Sequence, residues 1–528
     1  MISSLLLPLA AALPQQFVYR LEGPTPQAQF GCSLGNLGDV DGDGQADFAV
    51  GARKSNVGGT LAGAIYVYSG VDGTLLWEAH GSLPGMQLGI SICGLGDIDF
   101  DGIPDVAASS HRDNSSGFPS GSVSLFSGAD GTLLRELTSP LNWDRFGFSI
   151  ANTGDIDGDD IPDLLVGAPE DDWQGAGSGS VSLFSGADGG LLMKLFGTDP
   201  WDLFGSSVTG LGDVNFDSVP DFAVGAPRAD QPLRDAGAVY VFSGADGSIL
   251  NTHTTDTHTD AFGNSLSLLG DINRDGFADL AIGALNDFSN LVQKRGFVEI
   301  RSLGPDNATI LRIEPKSPYE RFSSSLAAAG DLEGDGYADF FAGAPDAGNA
   351  ATNGLAAGDL RVYSGVSGRE MTQFSGTHSS ARLGSSVLSL GDLTGDSLPE
   401  YVIGEPGANP QGAVTVWSPE ACPQIALHSF SAGSQASIDF SSAFPNTPVD
   451  FIYSLQGFGV TEFPSGLTLD IASPIVHFAT TQSDQNGAAQ VSFPVPSGST
   501  GIRVWFQAWC FGGPSPGIGS IAITNLIH

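Results

Sequence analysis

Residues 146–169 read FGFSIANTGDIDGDDIPDLLVGAP. A Phe-Gly pair opens the stretch, aspartates follow at alternate positions, and an apolar run closes on Gly-Ala-Pro. Downstream come a candidate strand GSVSLFSG (179–186), a turn ADGG (187–190) and a further strand LLMKLFG (191–197). Short runs rich in Val, Leu and Phe, joined by Asp-Gly and glycine-rich turns, are hairpin signals, so the unit holds four strands. The same unit recurs along the chain. Its leading aspartates are Asp39, Asp97, Asp155, Asp213, Asp271, Asp331 and Asp392, spaced by 58, 58, 58, 58, 60 and 61 residues. A period of this size with four strands per unit predicts a β-propeller, whose radial packing hides most sheet edges. The expected fold is all-β, a seven-bladed β-propeller over residues 13–419 followed by a smaller β-sandwich over 420–528.

Ring closure is legible as well. The seventh unit reaches its third strand at GAVTVWSP (412–419) and has no fourth. Near the N-terminus, FVYRLEG (17–23) places Leu21 nine residues before Phe30, just as Leu137 lies nine before Phe146. Residues 17–23 are therefore predicted to complete the last blade, which would leave no unpaired edge at the seam.

Composition narrows the function. The 73 glycines in 528 residues are twice the usual share of about 7% and disfavour helix-rich folds. Acids outnumber bases 59 to 20, for a formal net charge of −39. Such a chain repels a phosphate backbone, which excludes nucleic acid as a partner. No run approaches the 18 apolar residues of a membrane-spanning helix.

The acids gather at loop positions 1, 3, 5 and 9. Three loops carry Asp39, Asp41, Asp43 and Asp47; Asp97, Asp99, Asp101 and Asp105; and Asp155, Asp157, Asp159 and Asp163. The other four carry Asp213, Asn215, Asp217 and Asp221; Asp271, Asn273, Asp275 and Asp279; Asp331, Glu333, Asp335 and Asp339; and Asp392, Thr394, Asp396 and Glu400. Together they hold 25 of the 59 acids, a crowding that costs Coulomb energy unless a cation offsets it. Calcium takes six to eight oxygens, which alternate residues of a tight loop, with a carbonyl near position 7, can supply. No His or Cys stands among the ligands, which disfavours softer metals. An EF-hand is excluded because strand-forming runs such as FAVGA (48–52) follow position 9 where helix and a Glu at position 12 are required. Acidic turns that simply favour tight bends are the plainer alternative. Up to seven calcium sites are expected, with the four-carboxylate loops at 39, 97, 155 and 331 binding best and the loop at Asp392 weakest.

These motifs resemble the FG-GAP repeat of integrin α-subunit propellers and of many secreted bacterial proteins. The resemblance rests on Phe30-Gly31, Phe146-Gly147, Phe204-Gly205 and Phe262-Gly263, on the acidic loops, and on Gly167-Ala168-Pro169, Gly225-Ala226-Pro227 and Gly343-Ala344-Pro345. It covers residues 17–419 and implies calcium between the first and second strands of each blade. Unit two departs with Leu88-Gly89 and Ala108-Ser109-Ser110, unit six with Phe322-Ser323, and unit seven with Leu383-Gly384 and Gly404-Glu405-Pro406.

Residues 2–12, ISSLLLPLAAA, read as a signal peptide cut before Leu13, or else as a frayed apolar terminus. Export would permit a bridge between Cys422 and Cys510, whereas Cys32 and Cys93 fit buried free thiols equally well. The expected product is a secreted or cell-surface, calcium-binding, non-catalytic adhesion or ligand-binding protein. Its protein or glycan partner would sit on the face opposite the metal loops, where longer variable connections gather. Trp143-Asp144, Trp201-Asp202, Tyr319-Glu320 and Trp173 form either an aromatic–acidic ligand patch there or packing between blades. The alternatives are an extracellular enzyme acting on carbohydrate, of lyase, hydrolase or quinoprotein type, and a structural envelope component. GxSxG and HExxH motifs are absent, so no catalytic residue is assigned.

Overall fold

The computed structural model describes residues 15–419 apart from 116–119, 140–143, 231–232, 256–260, 286–295, 316, 318–319, 334, 349–355 and 396–397; beyond 419 it describes the backbone of nine strands. Two compact units result, Phe17–Ser418 and a second comprising Met1–Gln16 with Pro419–His528. The signal-peptide reading and Cys422 lie outside the described residues.

The larger unit is a seven-bladed β-propeller, and every blade is a four-stranded antiparallel sheet. In blade three the strands are Ser149–Gly154, Asp163–Ala168, Ser180–Phe184 and Leu191–Phe196. Burial follows their order. The second strand is buried throughout, whereas the fourth begins with two exposed leucines. First strands of consecutive blades touch around the axis, and blade seven's touches blade one's. The strand Gln15–Glu22 pairs with Ala413–Pro419 as the outer strand of blade seven.

The repeat motif has a packing cause. A Cβ on Gly167 would collide with the carbonyl of Gly205, the opening glycine of the next blade, and Gly51, Gly225, Gly343 and Gly404 face Gly89, Gly263, Gly384 and Gly31 in the same way. The exit glycine therefore admits the neighbouring blade's backbone. A serine three residues after each opening position fixes the same contact: Ser149, Ser207 and Ser325 Oγ donate to the carbonyls of Gly205, Gly263 and Gly384 at 2.7–2.9 Å. Ser386 Oγ donates to Gly31 at 2.9 Å, carrying the link across the closing seam. Serine stands at this position in all seven units, at 33, 91, 149, 207, 265, 325 and 386.

One alignment is corrected. In blade two Gly89 N–H donates to Ser109 O, as Gly147 N–H donates to Gly167 O in blade three. The exit of blade two is thus Ser109-Ser110-His111, one residue later than the expected Ala108-Ser109-Ser110.

In the second unit the described strands form a three-stranded, a four-stranded and a two-stranded antiparallel sheet. The first strand of the three-stranded sheet is Gln424–His428, and Phe458–Glu462 belongs to the two-stranded sheet.

Candidate metal centres

Each acidic loop joins the first to the second strand of its blade, and each Asp-Gly turn joins the third to the fourth, so an antiparallel meander puts both at one end. The loop is organised by its own carboxylates. Asp39 Oδ1 accepts from the N–H groups of Gly42 and Asp43 at 2.7 and 3.1 Å, and Oδ2 from Gly44 at 2.9 Å. Asp41 Oδ1 accepts from Asp43 N–H at 3.0 Å, and Asp43 Oδ1 from Gln45 N–H at 2.8 Å. Position 6 is left-handed in every described loop, taken by Gly44, Gly102, Gly276 and Gly336 but also by Asp160 and Ser218.

Position 9 has a structural role that spacing alone does not reveal. Asp47 is fully buried; its Oδ2 accepts from Val40 N–H at 2.8 Å and its Oδ1 from Gly70 N–H at 3.0 Å in the third-to-fourth turn. Asp105, Asp163, Asp221 and Asp339 repeat both bonds. Burial pushes these carboxyls up, Asp105 to about 6 and Asp339 to about 7, against the amides that lower them. In blade five Asp279 Oδ1 has no hydrogen-bond partner among the described residues, and burial takes this carboxyl up to about 7.

Three loops bring ligand oxygens together. In Asp39, Asp41 and Asp43, in Asp97, Asp99 and Asp101, and in Asp155, Asp157 and Asp163, one oxygen per residue lies within 4.8 Å of the others. Oxygens around one calcium at 2.3–2.6 Å stand no more than about 5 Å apart, so these sets fit a hard cation. Asp47 and Asp105 fall outside the first two groups, whereas Asp163 joins the third. The remaining loops differ. Asn215 and Asn273 turn their amide nitrogens to Asp217 and Asp275 at 2.9 Å. Glu333, counted among the strongest ligand sets, pairs instead with Arg369 at 2.7 Å. At the seventh loop Thr394 and Ser418 hydroxyls donate to Glu400 Oε1 at 3.1 and 2.7 Å, and Asp396 lies outside the described residues.

The FG-GAP repeat profile matches residues 146–184, 204–242 and 262–293, and an FG-GAP-like repeat matches residues 39–108. Integrin alpha-V of Gallus gallus is 31% identical over 246 residues, 44% of this chain and 23% of that protein. The chain carries an integrin-like FG-GAP β-propeller. Integrin alpha-5 of Xenopus laevis is 31% identical over 225 residues (40% of this chain, 21% of that protein), and integrin alpha-11 of Homo sapiens 38% over 159 residues (27% and 13%). The matched part of the chain thus spans less than a quarter of the length of these curated relatives.

At the opposite end of the FG-GAP propeller, Asp144, Asp202 and Glu320 are buried, while Trp173 and Trp201 are exposed, with Trp173 stacked on Phe196 at 6.2 Å. The ring of Trp201 lies beside Gly177 of blade three, and the backbone N–H of Trp201 donates to Ala176 O at 2.8 Å. Trp143 and Tyr319 lie outside the described residues. Cys32 and Cys93 are free thiols. Among the described residues no helix is long and apolar enough to cross a membrane.

Proposed function

We propose that the chain is a secreted or cell-surface, non-catalytic adhesion or ligand-binding protein whose propeller is stabilised by calcium in its acidic loops. The observation that carries this reading is the convergence of carboxylate oxygens within 4.8 Å in three consecutive blades, at loop positions 1, 3 and 5 in the first two and 1, 3 and 9 in the third. Residues Asp39, Asp41 and Asp43, Asp97, Asp99 and Asp101, and Asp155, Asp157 and Asp163 would hold the ions. Hard oxygen donors without His or Cys favour calcium over softer metals. The similarity to integrin α subunits supports an adhesion-type scaffold, and a protein or glycan ligand would dock at the end away from the metal loops.

Chelation tests the metal half of the reading. Thermal unfolding of the full chain with excess EDTA is expected to occur well below the calcium-supplemented transition, and added calcium to restore it, because an ion bound only by the folded state stabilises it by mass action. An unchanged transition, with no metal in the purified protein by elemental analysis, rejects the sites. A glycan and matrix-protein array, probed with and without calcium, tests the ligand half; turnover of a polysaccharide in the same assay would replace it with an enzyme.

A further inference from the structure

At the end of the propeller opposite the acidic loops, arginines gather at one place. A cavity of about 200 Å³ opens there, lined by Gln29 and Arg53 of blade one, Arg321 and Pro345 of blade six, and Arg382 and Pro406 of blade seven. These are equivalent positions of the repeat: the residue before the opening pair, and the third residue of the exit. Three neighbouring blades, including the pair that closes the ring, thus contribute to one concavity. Arg321 and Arg382 are left-handed, with φ of 51° and 57°. Their turns are closed by Ser324 Oγ and Ser385 Oγ, which donate to the carbonyls of Arg321 and Arg382 at 2.7 and 2.8 Å. The backbone of each opening is therefore held by its own turn, and the guanidinium is not needed to hold it.

Three arginines in one cavity are conspicuous where bases number only 20 against 59 acids. Arg53 Nε donates to the neutral Gln29 Oε1 at 2.8 Å, and Arg382 reaches Asp346 at 3.5 Å. Among the described residues no carboxylate pairs with Arg53 or Arg321. Like charges gathered in this way repel until an anion enters, and planar guanidinium forks match the oxygens of such a group. A long polyanion is disfavoured, because beyond the cavity it would meet the field of a protein with a net charge of −39.

We propose that this cavity binds a single carboxylate, presented by a small organic acid or by an acidic side chain of a partner protein. The inference rests on the reading of this end as the ligand-binding face and names the chemistry of its ligand. Calorimetric titration of the full calcium-supplemented chain with acetate, with a blocked peptide bearing one aspartate, and with sulfate tests it. Acetate and the peptide should bind, and the double variant Arg53→Gln/Arg321→Gln should weaken them by about tenfold or more, the scale of one lost charge-assisted hydrogen bond. Arg321→Gln alone should show part of the loss and serves if the double variant unfolds. Arg234→Gln, which changes an exposed arginine paired with Asp235, should leave binding unchanged. Tighter binding of the peptide than of acetate assigns the site to a protein side chain, and equal binding to a free acid. Absence of binding by both carboxylates, binding of sulfate alone, or equal binding by wild type and both cavity variants overturns the proposal. Because the probes are small ions, the site can fail while calcium-dependent stability holds, or stand while the array shows no macromolecular ligand.

Discussion

Ser323 occupies the opening position where the other blades place Gly31, Gly89, Gly147, Gly205, Gly263 and Gly384, all at φ between 81° and 91°. Its own φ is 69°, it is fully buried, and its hydroxyl has no partner among the described residues. A left-handed serine costs about 1 kcal/mol, and an orphaned buried hydroxyl about as much again. Glycine removes both and adds about 0.5–1 kcal/mol of unfolded-chain entropy. Ser323→Gly should therefore stabilise the propeller by about 1 kcal/mol. Urea denaturation checks it; a lower midpoint than the parent's would show that the strain is absent. This residue was visible in the sequence as a departure from Phe-Gly, but its φ was not. The same limit applies to Asp47 and its equivalents, since an aspartate at position 9 reads alike whether it ligates a cation or caps the amides of Val40 and Gly70. It applies to Glu333 too, whose partner Arg369 stands 36 residues away.

At the scale of the blade, the period carried the architecture, because each unit buries its faces only against identical neighbours. The joints between blades were less legible. The seven-fold serine at 33, 91, 149, 207, 265, 325 and 386 was open to a column-by-column comparison of the repeats, yet a small polar residue in a strand announces no partner. Outer strands make a second joint. Trp77 Nε1 donates to Gly128 O at 2.6 Å, and Arg135 donates to Gly186 and Ala187 carbonyls at 3.1 and 3.0 Å, each in the next blade's turn. Tyr19, at the equivalent position of the N-terminal strand, donates through its hydroxyl to Gly70 O at 2.7 Å. The seam between blades seven and one is thus built like the others. Tyr19→Phe and Ser386→Ala each delete one of its side-chain bonds and should cost about 1 kcal/mol apiece, roughly additively, by urea midpoint. Ser149→Ala at an internal joint should cost the same; a seam pair without effect would mean that the ring is not held shut there.

For the whole molecule, pH acts on two sets of carboxyls, those that burial holds protonated and those that would ligate a cation. Burial raises Asp105 and Asp144 to about 6 and Asp202, Asp279 and Asp339 to about 7. A carboxyl with a raised folded pKa contributes stability that is present below its unfolded value near 4 and lost as pH rises through 6 to 7. The buried His111 and His253 act in the opposite sense. Burial lowers them to about 3 and 4, so their contribution is full above about 6.5 and declines as pH falls toward those values. Between pH 8 and 6.5 only the carboxyls titrate, and below that five carboxyls oppose two histidines. The metal-free propeller should accordingly become more stable from pH 8 toward pH 5, with a slope of up to about 1.4 kcal/mol per pH unit for each extra proton bound by the folded state. Calcium demands ionised ligands, and desolvation also raises the carboxyls of its ligands Asp157 and Asp163, so its stabilisation should be largest at pH 8 and shrink toward pH 5. Thermal scans across this range in EDTA and in calcium provide two curves that converge in acid. A calcium shift independent of pH, or a chelated protein most stable at pH 8, would separate the buried carboxyls from the stability of the ring and leave the acidic loops without their assigned part in it.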